Sequence, residues 1–383
     1  MRILDCSLGT AGWAAVLLIM QTALFAAPPK LTILHFDVNV GDATLIISPD
    51  GHAVLIDCGN RGRGLNPVEE LLDRWKGSGH LSHLDYVIAA HYDSDQVGGF
   101  AGLFEEGWYP EKQVIDRGDT LLQPFDRERL ADYFTSGELD ELEQLAPWGY
   151  APEEYCTAPV KRQFAEYMLA ANRGGKRVTA RPGMKLTLDH GITLTILAVN
   201  GRDIDGDEVD VFFDHREDNC AMNDLSVVTL LEYGEFRYLI SGDLTGVQEH
   251  HVADVEELIK DDARDVDVYH VNHHGSVSSS SLDFLQAIQP TVAVCSSKTA
   301  YKHPRSEVAE RLFSLSPKPA LYVTNTPSDS PVTWQPPEGA IADLDGEGYD
   351  GMIEIMVWKR SYRVFRWRDG QPLSGGDRYW IKE

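Results

Sequence analysis

Four short apolar runs in this chain end at histidines and acids or stop a few residues short of them. Leu84 to Ala90 stops at His91, Phe236 to Ser241 leads through Gly242 to Asp243, Val266 to Val271 precedes His273 and His274, and Thr291 to Cys295 precedes His303. Runs of this length, rich in Val, Ile and Leu and bounded by turn residues, predict buried strands. Helical spacing separates them: Val68, Leu71, Leu72 and Trp75 form one set, then a helix is expected through Val247, Val255, Leu258 and Ile259, with others near Leu282 to Ile288 and around Val308, Leu312 and Phe313. Strand and helix in alternation predict an α/β sheet, where loops past the carboxyl ends of strands collect ligands. The polar clusters can therefore converge on one site.

The chain opens with strand-like runs at Leu31 to Val38, Asp42 to Ser48 and Ala53 to Asp57, the last two joined by Pro49, Asp50 and Gly51. Residues 105 to 182 break the rhythm, with Trp, Tyr, Pro and acids in excess and helices expected at Asp126 to Phe134 and Val160 to Ala171. This stretch reads as an insertion or cap. Its aromatics Trp108, Tyr109, Trp148, Tyr150 and Tyr155 are expected to pack it onto the sheet, with stacking on a base or sugar as the alternative. Asp203 to Asp218 reads as an exposed acidic loop; Asp203, Asp205 and Asp207 with Gly206 do not follow the calcium-loop spacing. Ile353, Ile355 and Val357 alternate on one side of Lys359 to Ser361 and Tyr362 and Val364 on the other, which predicts a closing β-hairpin.

Arg2 is followed by an apolar run from Ala11 to Ala27, broken only by Gln21 and Thr22, then by Pro28, Pro29 and Lys30. Short of the roughly 20 apolar residues that span a bilayer, it reads as a signal peptide over residues 1 to 27, with a membrane anchor as the alternative. The mature chain, residues 28 to 383, is then secreted or periplasmic, with no membrane span after signal removal. Of five cysteines, Cys6 leaves with the signal. Cys58, Cys156, Cys220 and Cys295 lack zinc spacing, and Cys58 and Cys295 sit in apolar runs as buried thiols. A net charge of −26 repels polyanions and disfavours tight binding to duplex DNA. The same field attracts metal cations.

His91, Asp93 and Asp95 alternate directly after a buried strand, with Gly98 and Gly99 beyond, so one tight loop can aim several ligands at one point. Imidazole nitrogen and carboxylate oxygen suit zinc, manganese or iron, and the oxygen share points away from a closed structural zinc site. The segments FDVNVGDATLIISPDGHAVLIDCGN, HYDSDQVGG, NDLSVV, ISGD, HVNHHGSVSSSS and YKHP occur in this order. Together they resemble the metallo-β-lactamase superfamily, and within it the soluble domain of ComEC-type competence proteins.

That resemblance implies an α/β, four-layer αββα sandwich in which 105 to 182 is a helical insertion and the C-terminal hairpin closes the sheet. It implies a metal-dependent hydrolase, of phosphodiesterase or nuclease type, acting on a small or single-stranded phosphodiester. One or two divalent ions, zinc or manganese, are expected. It assigns His91, Asp93, Asp95, Asp243 and one of His273 and His274 as ligands, with Asp95 also serving the chemistry and His303 as ligand or proton donor. Asp57 lies close behind the metal loop, while Asn223, Ser226 and Ser276 line the site. Three positions depart from the family pattern HxDxDHxGG and its opening hairpin: Gln96 stands where the family has its last histidine, and Asn39 and Val40 stand where Gly and Gln are usual. Amide oxygen is a poor replacement for imidazole, so one tightly held ion is expected. Two alternatives remain: hydrolysis of an ester, lactone or amide, and a binding protein whose site has lost its chemistry.

Overall fold

A computed structural model describes residues 30–62, 65–119, 124–145, 160–211, 223–247, 250, 252–297, 301–326, 336–344 and 351–382. The signal segment, Cys156, Cys220, Trp148, Tyr150, Tyr155 and the acidic stretch beyond residue 211 lie outside them.

The first sheet begins with β1 (Leu31–Phe36), β2 (Thr44–Ile47), β3 (Ala53–Ile56), β4 (Tyr86–Ile88), β5 (Gln113–Asp116) and β6 (Arg177–Thr179). Strands β1 to β3 are antiparallel neighbours and β3 to β6 run parallel. The second sheet takes β7 (Lys185–Thr187), β8 (Thr193–Val199), β9 (Arg202–Asp203), β10 (Val228–Tyr233), β11 (Phe236–Ile240), β12 (Val268–His270), β13 (Val292–Cys295), β14 (Ala320–Asn325) and β15 (Ile341–Asp343). Here β11 to β15 are parallel, while β10, β8 and β7 continue the sheet antiparallel. The chain then returns to the first sheet: β16 (Met352–Val357) pairs with β1, and β17 (Ser361–Arg368), β18 (Gln371–Pro372) and β19 (Asp377–Trp380) extend it. The expected closing hairpin therefore extends the first sheet beyond β1 and forms one end of it.

Alternation along each strand sorts apolar residues into three cores, because successive side chains point to opposite faces. On β1, Leu31 and Ile33 enter the core between the sheets with Ile353, Ile355, Leu194 and Tyr238. Leu34 and Phe36 face outward to a helical layer. That layer holds α1 (Asn66–Ser78), α2 (Ser94–Val97), α3 (Phe100–Glu105), α4 (Arg127–Leu130), α5 (Ser136–Leu145) and α6 (Arg162–Arg173). The other outer core packs α7 (Val255–Ile259), α8 (Leu282–Ile288) and α9 (Ser306–Ser314) on the second sheet. Helix, sheet, sheet and helix make the four layers expected.

Some boundaries moved. The helix expected from Val247 starts at Val255, because Asp254 accepts the Glu257 N–H and sets the cap there. Asp203 is buried rather than exposed: it ends β9, and its carboxylate accepts the N–H groups of Asp205 and Asp207 at 3.0 and 2.8 Å. Residues 105 to 182 begin and end as sheet, through β5 and β6, and their helix α6 packs on α2 and α3 beside the metal loop. Within this stretch Trp108 is buried and its Nε1–H donates to Asp73, while the Tyr109 hydroxyl donates to the Ala171 carbonyl, so both serve packing.

Candidate metal centre

The parallel strands of both sheets present their carboxyl ends at one edge, and the loops there repeat a simple offset. His91 comes three residues after β4, Asp243 three after β11 and His273 three after β12, while Asp57 directly follows β3. Pairing sets β3 beside β4 and β11 beside β12, and the packing of the two sheets on each other brings these ends together, which is why residues more than 150 positions apart in sequence meet.

Asp243 is the centre. It is buried, and its two oxygens look in opposite directions. Oδ2 lies 3.5 Å from His91 Nε2 and 3.7 Å from His273 Nε2, and His91 Nε2 is 3.8 Å from Asp93 Oδ2. Oδ1 lies 3.2 Å from His274 Nε2, which is itself 3.8 Å from Asp95 Oδ2. The histidine pair thus serves both sides. His273 and His274 adopt consecutive left-handed conformations, φ 50° and 53°, which splay the two rings to either side of the same carboxylate.

Electrostatics keep the cluster anionic. Burial pushes the Asp243 carboxyl upward, but His274, His273 and His91 outweigh it and hold it well below the ordinary carboxylate range. Burial likewise pushes His91 down, yet Asp243, Asp93 and Asp57 raise it to about 9. Among the described residues neither ring nitrogen of His91 has a hydrogen-bond partner, nor does Asp243 Oδ2, and all three atoms are buried. Buried polar atoms with no partner are costly. A divalent cation satisfies this set of imidazole and carboxylate donors, so the residues fit the group.

The neighbouring residues sort by reach. Asp57 Oδ1 accepts the Ala90 N–H at 2.8 Å and so fixes the backbone just before His91. Asn223 Nδ2 lies 3.3 Å from His273 Nε2 at the rim. Ser226 does not reach the centre; its hydroxyl donates to the Asn223 carbonyl and stabilises that turn. Ser276 also stands back, 3.2 Å from Ser278, and it is Ser278 that meets His273 Nδ1 at 3.0 Å. His303 stacks along His274 with ring centroids 6.4 Å apart and is 9% exposed, so it sits at the mouth rather than in the ligand set. Gln96 points inward, its Nε2 3.1 Å from Asp243 Oδ1.

A family description, metallo-beta-lactamase superfamily, matches residues 36–297. The chain belongs to the metallo-beta-lactamase superfamily. The fold is that of metal-dependent hydrolases, and His91, Asp93, Asp95, Asp243, His273 and His274 lie within the matched span. The ComE operon protein 3 of Bacillus subtilis is 34% identical over 97 residues, 25% of this chain and 12% of that protein. Recombination protein 2 of Haemophilus influenzae is 25% identical over 318 residues, 81% of this chain and 30% of that protein. The chain spans less than a third of either curated relative. Among solved structures, the diiron β-hydroxylase CmlA of Streptomyces venezuelae aligns at 10% identity over 74% of this chain and 47% of its own, with a TM-score of 0.37. Zn(2+)-bound PqqB from Methylobacterium extorquens aligns at 14% identity over 67% and 75%, with a TM-score of 0.33.

Two participants escaped the sequence reading. Asp42, taken as the first residue of a strand, sits in the turn before β2 and groups with Asp243 and His274 as a third potential donor. Its only local signal is the preceding Gly41. Glu256 on α7 is fully buried and accepts from Asn272 Nδ2 and the N–H groups of Ser280 and Ser281, holding the histidine loop from behind. No local pattern marks it, because its partners come from another element.

Proposed function

We propose that the chain is an exported phosphodiesterase that uses a divalent ion, zinc or manganese, on a small or single-stranded phosphodiester. The observation that carries this is Asp243, a buried carboxylate with a histidine on each oxygen and unpartnered donor atoms around it. His91, Asp93, Asp243 and His273 would hold the ion. When bound, it supplies Lewis acidity and lowers the pKa of water toward ~7.

The chain's own groups do the rest. Asp95, buried next to His274, accepts a proton from the attacking water. His303, at the mouth, returns a proton to the leaving oxygen. The Asn223 amide donates to a substrate oxygen, and Lys161, whose Nζ is 3.4 Å from Asp93 Oδ1, places a cation at the rim for a phosphate. The rest of the surface is acidic, which favours a short substrate over a duplex. The name of one relative, a recombination protein, agrees with a phosphodiester substrate.

The test is turnover of bis(p-nitrophenyl) phosphate, dinucleotides and single-stranded oligonucleotides beside esters, lactones and amides, with metal content measured on the same samples. Asp243→Ala is expected to remove the metal and lower kcat/KM by at least 100-fold, since a lost ligand costs several kcal/mol of transition-state stabilisation. Asp203→Ala loosens its own turn and leaves metal and turnover within about twofold, as expected for an isolated turn. Turnover of esters alone would replace the phosphodiester reading, and absence of both metal and turnover would leave a binding protein. N-terminal sequencing of the protein recovered outside the cytoplasm should begin at Pro28; recovery of an uncleaved, membrane-bound chain would point to an anchor.

A further inference from the structure

The Gln96 side chain occupies a place that donors, not ligands, are suited to fill. Its Nε2 is 3.1 Å from Asp243 Oδ1, 3.4 Å from Asp42 Oδ2 and 3.3 Å from His274 Nε2, and all four residues are buried. Asp42, Asp243 and His274 are the three side chains whose donor atoms cluster tightly enough to hold a cation on this side of the centre. The tautomer of His274 is set from behind. Its Nδ1 lies 3.2 Å from the Ser296 carbonyl oxygen, which can only accept, so Nδ1 carries the hydrogen and Nε2 turns a lone pair inward. Three lone-pair atoms therefore face one amide nitrogen. A carboxamide NH2 has two N–H donors and no lone pair to offer a metal at that nitrogen.

Asp42 explains why an amide is wanted. Two carboxylates, Asp42 and Asp243, approach the same buried volume, with Asp95 beside His274. Such a volume needs positive charge or hydrogen-bond donors. His270 answers Asp42 from the far side, its Nε2 3.2 Å from Oδ1. Gln96 answers from within.

We propose that the Gln96 amide is a built-in substitute for a second cation: its N–H groups donate to the lone pairs of the Asp42–Asp243–His274 cluster, and the centre works with one ion on the His91, Asp93, His273 side. This rests on the metal-dependent reading above. Asp42, not the residue at 96, is then the group that would complete a second ion site once the amide is removed.

The experiment counts ions. Chelator-treated protein is titrated with Mn2+ by isothermal calorimetry and followed by electron paramagnetic resonance, where two ions sharing a carboxylate at ~3.5–4 Å give an exchange-coupled spectrum. The wild-type chain should bind about one ion with an uncoupled spectrum, Gln96→Ala about two with a coupled one, and Gln96→Ala with Asp42→Asn about one again, since a neutral amide is the weaker ligand. Two ions or a coupled spectrum in the wild type overturns the inference and leaves the hydrolase reading standing. So does a single ion in folded Gln96→Ala. No ion in the wild type overturns the hydrolase reading and this inference with it. Should Gln96→Ala not fold, the wild-type spectrum alone still decides.

Discussion

At the scale of single residues, the centre is governed by competition between a proton and a cation for His91. In the ion-free chain burial lowers the imidazole, but the surrounding carboxylates of Asp243, Asp93 and Asp57 raise it to about 9, above its ordinary 6.5. At pH 7.5 it therefore carries a proton that a ligand histidine must lose. Uptake of the ion should release roughly one proton, and affinity should fall about tenfold per pH unit below about 9 and level off above it. Calorimetry in two buffers of different ionisation heat measures this directly; proton release unchanged in His91→Gln would move the titrating group elsewhere. The sign for stability follows from the same shift. Because the folded value is raised, His91 stabilises the ion-free fold fully below 6.5, and that contribution disappears as pH rises through about 9. The melting temperature of chelated protein should fall across that window.

At the scale of elements, the β1–β2 hairpin turn and the loop after the parallel strand β4 depend on backbone contact. The turn before β2 leans on the metal loop, where the Asp42 N–H donates to the Asp95 carbonyl at 3.2 Å. Gly41 makes the approach possible: its φ is +120°, and a Cβ there would sit 1.9 Å from the Asp95 carbonyl oxygen. Asn39 in the same turn takes φ 63°, a conformation asparagine tolerates, and its N–H donates to Asp37, so the turn keeps its shape without a glycine at that position. Gly41→Ala should destabilise the chain by roughly 3 kcal/mol and weaken ion binding, because the turn must retreat from Asp95. Gly51→Ala is the control. It also has positive φ, +91°, but nothing within 4 Å of the added carbon, so a loss of roughly 1–2 kcal/mol with unchanged ion affinity is expected. Urea unfolding and metal titration of both variants separate steric contact from backbone preference; equal ion affinity in the two would show that the turn does not support the centre.

At the scale of the whole molecule, the last strands are structural members of the first sheet. Ile353, Ile355, Val357, Tyr362 and Val364 are fully buried between the sheets. At about 1.5–3 kcal/mol per buried side chain they contribute roughly 10 kcal/mol, comparable to the entire stability of an ordinary domain. Truncation after residue 350 should abolish cooperative thermal unfolding, whereas a dispensable appendage would leave the transition intact. Among the described residues no helix is long and apolar enough to cross a membrane. The strands, the alternation of helix and sheet, and the placing of His91, Asp93, Asp243 and the histidine pair just past strand ends were legible in the chain itself, because hydrophobic period and the residues at strand ends are local properties. Two free, buried thiols at Cys58 and Cys295 were legible for the same reason. Which sheet the final hairpin joins, that His273 and His274 serve opposite oxygens of one carboxylate, that Asp42 turns into the centre, and that Ser226 and Ser276 stop short of it were decided only in three dimensions. Those facts depend on strand order, on backbone angles and on contacts between residues distant in sequence, and a linear pattern holds none of these.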